Sequence, residues 1–208
     1  MTPLDPEEFA RLAGVSRETL ARLVAYEALL RQWAVHINLV GAGTLADPWR
    51  RHFLDSAQLL PLIPTGADSL VDLGSGAGFP GLVLAILGAA GVELIEADGR
   101  KCAFLREAVR VAAASVPVHH ARIDSLPPRS FAVVTARGLA PLDRLLPWAE
   151  RFIGPDTVCL FPKGKEAEHE LTSAHQIWDM EVEPYASRSD PRGIILRLSR
   201  VRRREAVR

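Results

Sequence analysis

Long apolar runs, paired cysteines and a surplus of either charge are missing from this chain, and each absence removes a class of protein. No stretch approaches the roughly 20 apolar residues a membrane helix needs, and the start, MTPLDPEEF, lacks the basic and apolar regions of a signal peptide. A cytoplasmic protein with no membrane partner is therefore expected. Cys102 and Cys159 are the only cysteines. The first falls in a helical pattern and the second in the strand-like TVCLF, so both read as small buried apolar residues in a reducing compartment. The six histidines add no ligand spacing: His119 and His120 are adjacent at a strand end, and His169 and His175 lie in a polar helical region. No metal is expected.

Lysine plus arginine and aspartate plus glutamate each total 25, which excludes a globally basic chain. Neutrality hides an asymmetry, because Arg197, Arg200, Arg202, Arg203, Arg204 and Arg208 crowd the C-terminus against Glu205 alone. A solvated tail and a phosphate-contacting arm fit this equally. At 208 residues, 48% of them hydrophobic, the chain can bury a sizeable core and is most simply one domain with an extension. The expected division is a helical extension over 1–64, an α/β domain over 65–200 and a basic tail over 201–208. In the extension Ser16 can cap a helix, with Leu20, Leu23, Val24, Leu30 and Trp33 as its apolar face. From 69 onward strand and helix patterns alternate: 69–72, 81–87, 92–96, 100–114, 116–120, 131–135, 141–152, 157–161 and 165–174. Such repetition demands a parallel sheet covered on both faces. The final pair, 178–184 and 193–199, is separated only by the loop SRSDPRG, which fits an antiparallel hairpin.

The most informative segment is LVDLGSGAGFPG, residues 70–81. A buried strand meets a helix through a turn in which Gly74, Gly76 and Gly78 permit tight backbone and close ligand approach, and Pro80 suits a first helical turn. Gly76, Gly78 and Gly81 satisfy G-x-G-x-x-G, a weak dinucleotide signal by itself. A pyrophosphate wants unopposed amides at the helix start, and the Asp72 carboxylate nearby would repel it. S-adenosylmethionine carries an ammonium and a sulfonium and no phosphate, so the same charge becomes an attraction. Glu96, at the end of the next strand, can accept from both ribose hydroxyls, and Asp98 beyond it can cap the next helix.

Ligands of such sheets sit at the carboxyl ends of the strands. That rule adds Ile123 and Asp124 after the third strand, Arg137 after the fourth and Lys163 after the fifth. Asp124 can accept from an adenine amino group, while Ile123 and Phe79 offer apolar surface to the ring, although core packing explains both equally well. The reaction is narrowed by what is missing. TARGLAP replaces the acidic or amide-proline-proline-aromatic signature of amino-group methylation on adenine, and Cys159 lies too far inside a strand to be a cytosine nucleophile. A guanine N7 needs no base, only alignment of its lone pair with the methyl group. Arg137 and Lys163 would then orient phosphate or the guanine O6 edge.

These motifs resemble a bacterial family, the small-subunit ribosomal RNA guanine-N7 methyltransferases also called glucose-inhibited division protein B. The resemblance spans nearly the whole chain: Trp33 with Asn38-Leu39, RHFLDS at 51–56, DLGSGAGFPG at 72–81, ARGLA around Arg137 and PKG at 162–164. It departs at Ala34, where the family often has Asn, and at Gly138, where it often has Ala. The resemblance implies a Rossmann-like S-adenosylmethionine-dependent methyltransferase fold with a mostly parallel seven-stranded sheet. It also implies donor binding at Gly74, Phe79, Ile123, Asp124 and Arg137, and a guanine in the decoding-region loop of 16S rRNA, in the small ribosomal subunit, as substrate. A monomer is expected. In RHFLDS, Asp55 and Arg51 have the spacing of a solvated helical pair. The resemblance instead suggests a helix over the cofactor mouth, with Arg51 and His52 facing RNA and Asp55 holding them. A methyltransferase for a small molecule or protein, and a non-catalytic module binding an adenosine-type ligand, are the alternatives.

Overall fold

The structure, a computed structural model, describes residues 2–41 and 43–204. Two capped helices open the chain. Asp5 accepts from the Glu8 amide at the start of α1 (Pro6–Ala13) and Ser16 accepts from the Thr19 amide at the start of α2 (Arg17–Ala34), each satisfying an amide with no partner inside its helix. Leu23, Tyr26 and Leu30 form the buried stripe of α2, while Val24, expected on that face, is 40% exposed. It lies one residue past the stripe, and the fully buried Tyr26 takes the place the sequence reading gave it. After a loop, Trp49–Leu54 winds as a π-helical turn and runs into the short α3 (Asp55–Ala57).

The strands are β1 (Leu70–Leu73), β2 (Val92–Glu96), β3 (Val118–His120), β4 (Phe131–Thr135), β5 (Ile153–Lys163), β6 (Trp178–Ala186) and β7 (Ile194–Arg203). They form one seven-stranded sheet in the order β3-β2-β1-β4-β5-β7-β6. The first five pair in parallel, and β7 runs antiparallel to both β5 and β6. This is the expected α/β architecture with its C-terminal hairpin. Every residue of β1 is buried, as a central strand covered on both faces requires.

The remaining helices are α4 (Gly81–Ile86), α5 (Gly99–Val111), α6 (Leu142–Ala149) and α7 (Ala167–Ala174). Asp98 caps α5 through the Arg100 and Lys101 amides. On one face, α4 and α5 share a core with the N-terminal helices. Stacked Trp49 and Phe53 (centroids 4.5 Å apart), Tyr26 and Phe79 bind the two parts together there. The other face is covered by α6 and Trp178. Cys102 and Cys159 are both fully buried and free, and burial pushes the Cys159 thiol up to about 12.

Residues 201–203, expected to open a basic tail, are the last residues of β7. Arg197, Arg200, Arg202, Arg203 and Arg204 each face a carboxylate: Glu183, Glu181, Asp179, Glu150 and Asp179 respectively. Glu205 and Arg208 lie outside the described residues. Among the described residues no helix is long and apolar enough to cross a membrane, and no group of three or more His, Cys, Asp or Glu could hold a metal ion.

Candidate active site

The turn after β1 takes its shape from backbone that only glycine adopts freely. Gly74 has φ +63°, and a Cβ there would lie 2.6 Å from Leu139 Cδ1. Gly81 opens α4, directly after Pro80, and a Cβ on it would meet Asp72 Cβ at 2.6 Å. That proximity explains Asp72. Its carboxylate is fully buried, accepting from Thr135 Oγ1 at 2.8 Å and from the Gly81 amide at 3.3 Å. Burial pushes its pKa up to about 6, against the downward pull of its hydrogen bonds and of Arg137. The expectation that Asp72 faces a cationic ligand is corrected: the side chain turns from the turn's outer surface to join β1, β4 and the start of α4.

A cavity of about 310 Å³ opens at the carboxyl ends of β1, β2 and β4. Gly74 and Gly76 form one wall, and Glu96, Ile123, Asp124, Leu139 and Trp148 line the others. Glu96 is 8% exposed and accepts from the Gly76 amide and the Asp98 amide, both at 2.8 Å. Asp124 is half-exposed, and its 2.9 Å pair with Arg122 holds its carboxyl below the usual range. Gly78 and Phe79 do not line this cavity. Phe79 is 4% exposed and stacks on His52 at 4.9 Å and on Tyr26 at 5.4 Å. Its expected place against an adenine ring is therefore corrected, because α2 and the Trp49–Leu54 turn enclose it.

A second cavity, of about 420 Å³, adjoins the first through Gly138, which lines both. Here the charged candidates converge: Arg51, His52, Asp55, Arg137 and Lys163, with Ser189 and Asp190 from the β6–β7 loop. Arg137 donates from Nη1 to the Arg51 carbonyl at 3.0 Å and to Asp55 Oδ2 at 2.9 Å. From Nη2 it reaches His52 Nδ1 at 3.0 Å, and its guanidinium lies 5.1 Å from the Phe79 ring centre. The other oxygen of Asp55 accepts from Ser189 Oγ and from Gln58.

Two expectations for RHFLDS are corrected by this arrangement. Asp55 does not pair with Arg51; it holds Arg137 and the hairpin loop, while Arg51 pairs with Asp190 at 2.8 Å. His52 does not face outward but is 5% exposed, and burial with the nearby Arg137 and Arg51 pushes its pKa down to about 3. Lys163 is not a free cation either, since it is bonded to Glu170 at 2.7 Å and the Ala140 carbonyl at 2.8 Å.

Sequence reasoning passed over Trp148, Thr135, Thr44 and the pair Ser189 and Asp190. Trp148 lies unremarked inside the helical pattern 141–152, and only its half-exposed position distinguishes it. Ser189 and Asp190 were read as a turn, although so polar a hairpin loop was a signal of contacts beyond the turn.

A family model described as GidB, rRNA small subunit methyltransferase G, matches residues 19–189. The chain is 58% identical over 194 residues to the ribosomal RNA small subunit methyltransferase G of Rhodospirillum centenum, covering 93% of this chain and 90% of that protein. It is 55% identical to the protein of that name from Rhodospirillum rubrum, covering 96% and 100%. Among solved structures it resembles a ribosomal protein L11 methylase from Lactobacillus delbrueckii subsp. bulgaricus, with TM-score 0.57 and 19% identity over 70% of this chain and 78% of that one. A fibrillarin/Nop5p complex is similar with TM-score 0.55 and 12% identity, covering 73% and 82%. These structural likenesses show a methyltransferase fold of the Rossmann-like kind, and the family model and close relatives show more: this chain belongs to the GidB family of rRNA small subunit methyltransferases.

Proposed function

We propose that the protein transfers the methyl group of S-adenosylmethionine to N7 of a guanine in the decoding-region loop of 16S rRNA, acting in the cytoplasm as a monomer. One observation carries the reading: a cavity lined by Gly74, Gly76, Glu96 and Asp124 and a cavity lined by Arg51, Arg137 and Lys163 share a wall at Gly138. Residues 1–64 act as a helical extension that walls the second cavity, and 65–200 as the donor-binding domain.

The first cavity suits this donor and not a dinucleotide. The Gly76 amide, which a pyrophosphate would need, is already bonded to Glu96. Each Glu96 oxygen has one amide partner, and a carboxylate offers about four acceptor sites, so capacity remains for both ribose hydroxyls. Asp124 suits an adenine amino group, with Ile123 and Trp148 as apolar walls. When bound, the donor supplies an electrophilic methyl group on a sulfonium.

The second cavity supports an acceptor that needs no deprotonation. Asp55 is committed to Arg137 and Ser189, and His52 to Arg137 and Thr44, so neither is free to take a proton. Arg137, which the resemblance assigns to the donor, lines the second cavity and not the first; it orients the incoming base there, and Arg51, whose side chain is 42% exposed, meets the RNA backbone at the rim. Lys163, neutralised by Glu170, shapes the floor.

The test is methyl transfer to small ribosomal subunits, followed by aniline-type cleavage at N7-methylguanine. One RNA-dependent cleavage site is expected. Methylation that proceeds without RNA, or labelled RNA that resists cleavage, overturns the reading. Light scattering of the purified protein checks the monomer.

A further inference from the structure

We propose that His52 is a positioning residue which orients Arg137 from its Nδ1 atom while its Nε2–H is anchored on Thr44. The proposal rests on the reading of the second cavity as the acceptor site. Its basis is a hydrogen-bond chain whose direction is fixed at both ends. Arg137 Nη2, 3.0 Å from His52 Nδ1, carries only donors, so Nδ1 must accept. The Thr44 hydroxyl donates to the Gly41 carbonyl at 2.7 Å, which leaves its oxygen to accept from His52 Nε2–H at 2.8 Å. Only the Nε2–H form of a neutral imidazole satisfies both contacts, because a charged ring would point a proton at the guanidinium.

The surroundings reinforce that form. The charged groups facing the ring are Arg137, from the loop after β4, and Arg51 on its own helical turn, and both oppose a second positive charge. Asp55 reaches the ring through Arg137, and Phe79, stacked 4.9 Å away, is uncharged. The consequence falls on Arg137. The Arg51 carbonyl and Asp55 take up Nη1, and His52 takes one N–H of Nη2. Of the five N–H donors of a guanidinium, this set leaves one on Nη2 and one on Nε for the cavity. Without the Nδ1 acceptor the guanidinium can rotate about its Asp55 contact and misdirect that pair. His52 therefore acts in turnover through Arg137, without touching donor or acceptor itself.

Two substitutions separate this role from simple packing. In His52→Asn the side-chain oxygen falls near Nδ1 and still accepts from Arg137. In His52→Gln the longer amide reaches toward Thr44 and abandons that position. His52→Gln is expected to lose about tenfold or more in kcat, the cost of one hydrogen bond to a charged group, and His52→Asn to recover most of that loss. Calorimetric affinity for S-adenosylmethionine should stay within about threefold of wild type in both.

Nitrogen-15 NMR of histidine-labelled wild-type protein, with the His52 signals identified by their loss in His52→Asn, reads the ring directly. The Nε2–H form should persist, uncharged, from pH 8 down to pH 5. An Nδ1–H form, a ring that ionises in this range, or equal kcat losses in the two variants overturns the proposal. If neither variant folds, the His52 signals are identified instead by nuclear Overhauser contacts to the Phe79 ring stacked on it, and the wild-type spectrum still decides between the ring forms. If the protein fails to methylate rRNA at all while the Nε2–H form holds, the acceptor reading fails and the His52 to Arg137 geometry stands.

Discussion

The two cavities that meet at Gly138 are built on different plans. The first is assembled from main chain and a few single carboxylates: Gly76 binds Glu96 directly, and Asp98 lies only two residues from it. The second is assembled from charged side chains far apart in the chain. Arg137 and Asp55 are separated by 82 positions, Ser189 and Asp55 by 134, and Arg51 and Asp190 by 139. The first is fixed once β1, β2 and β4 pair and their following loops close over Gly74 and Gly76, whereas the second exists only when three segments more distant in the chain dock. Donor binding and acceptor handling should therefore fail separately.

The sharpest attempt to break that separation is Glu96→Ala. It removes the acceptor for the half-buried Gly76 and Asp98 amides and for the ribose, and donor affinity should fall by about 100-fold or more by calorimetry, from two charge-assisted bonds. RNA binding in a filter assay should not follow it; a parallel loss would dissolve the distinction between the cavities. Asp55→Ala is the mirror experiment. Its pair with Arg137 is largely enclosed, with side chains 16% and 18% exposed, so turnover should drop about 10- to 30-fold while donor affinity holds. A coincident loss of donor binding would mean that Arg137 serves the first cavity.

Acidity distinguishes the strand beneath the glycine turn from the second cavity through stability. Asp72 holds its proton up to about pH 6 in the folded chain against 3.8 ordinarily. Raising the pH from 4 to 6 therefore removes stability through this group. His52 stays neutral down to about pH 3 when folded, against 6.5 ordinarily, so lowering the pH from 6.5 toward 3 removes stability through that one. The effects oppose between pH 4 and 6. Asp72→Asn should leave a melting temperature that climbs more steeply with pH across this window, by about 2–4 °C for each kcal/mol released. A flatter profile would reverse the assignment. The smallest effect belongs to Arg51→Ala. Its ion pair is half in solvent and worth about 0–1 kcal/mol, so turnover should weaken only about two- to fivefold, with a shallower salt dependence and unchanged donor affinity. A loss as large as that of Asp55→Ala would place Arg51 inside the cavity.

What the sequence made legible follows the same division. The caps at Ser16 and Asp98, the glycine turn, the strand ending in Glu96 and the hairpin are decided by neighbours within a few residues. Asp72 was located but misassigned, because its role depends on Thr135, 63 positions away. RHFLDS was recognised as a unit, yet the partner of Asp55 was taken from helical spacing when tertiary contact supplies it. Ser189 could be read as a turn residue and nothing more until the hairpin was placed against α3. Trp148 and Val24 show the same limit on helices: periodicity gives a face to within one residue, and packing decides which residue enters it.

The loop of 187–193 has a consequence for the order in which this protein becomes competent. Asp190 grips Arg51, Ser189 grips Asp55, and the Arg188 amide donates to Gln58 at 2.7 Å. The two ends of the chain thus clasp each other across the mouth of the second cavity. Everything that lines the first cavity has left the ribosome once Trp148 emerges, but the second needs the chain through Ile194. The core beneath the first cavity nevertheless packs Val71, Leu73 and Ile95 with Leu196 and Leu198 of β7, so the last strand to be made completes the footing of one cavity and the wall of the other.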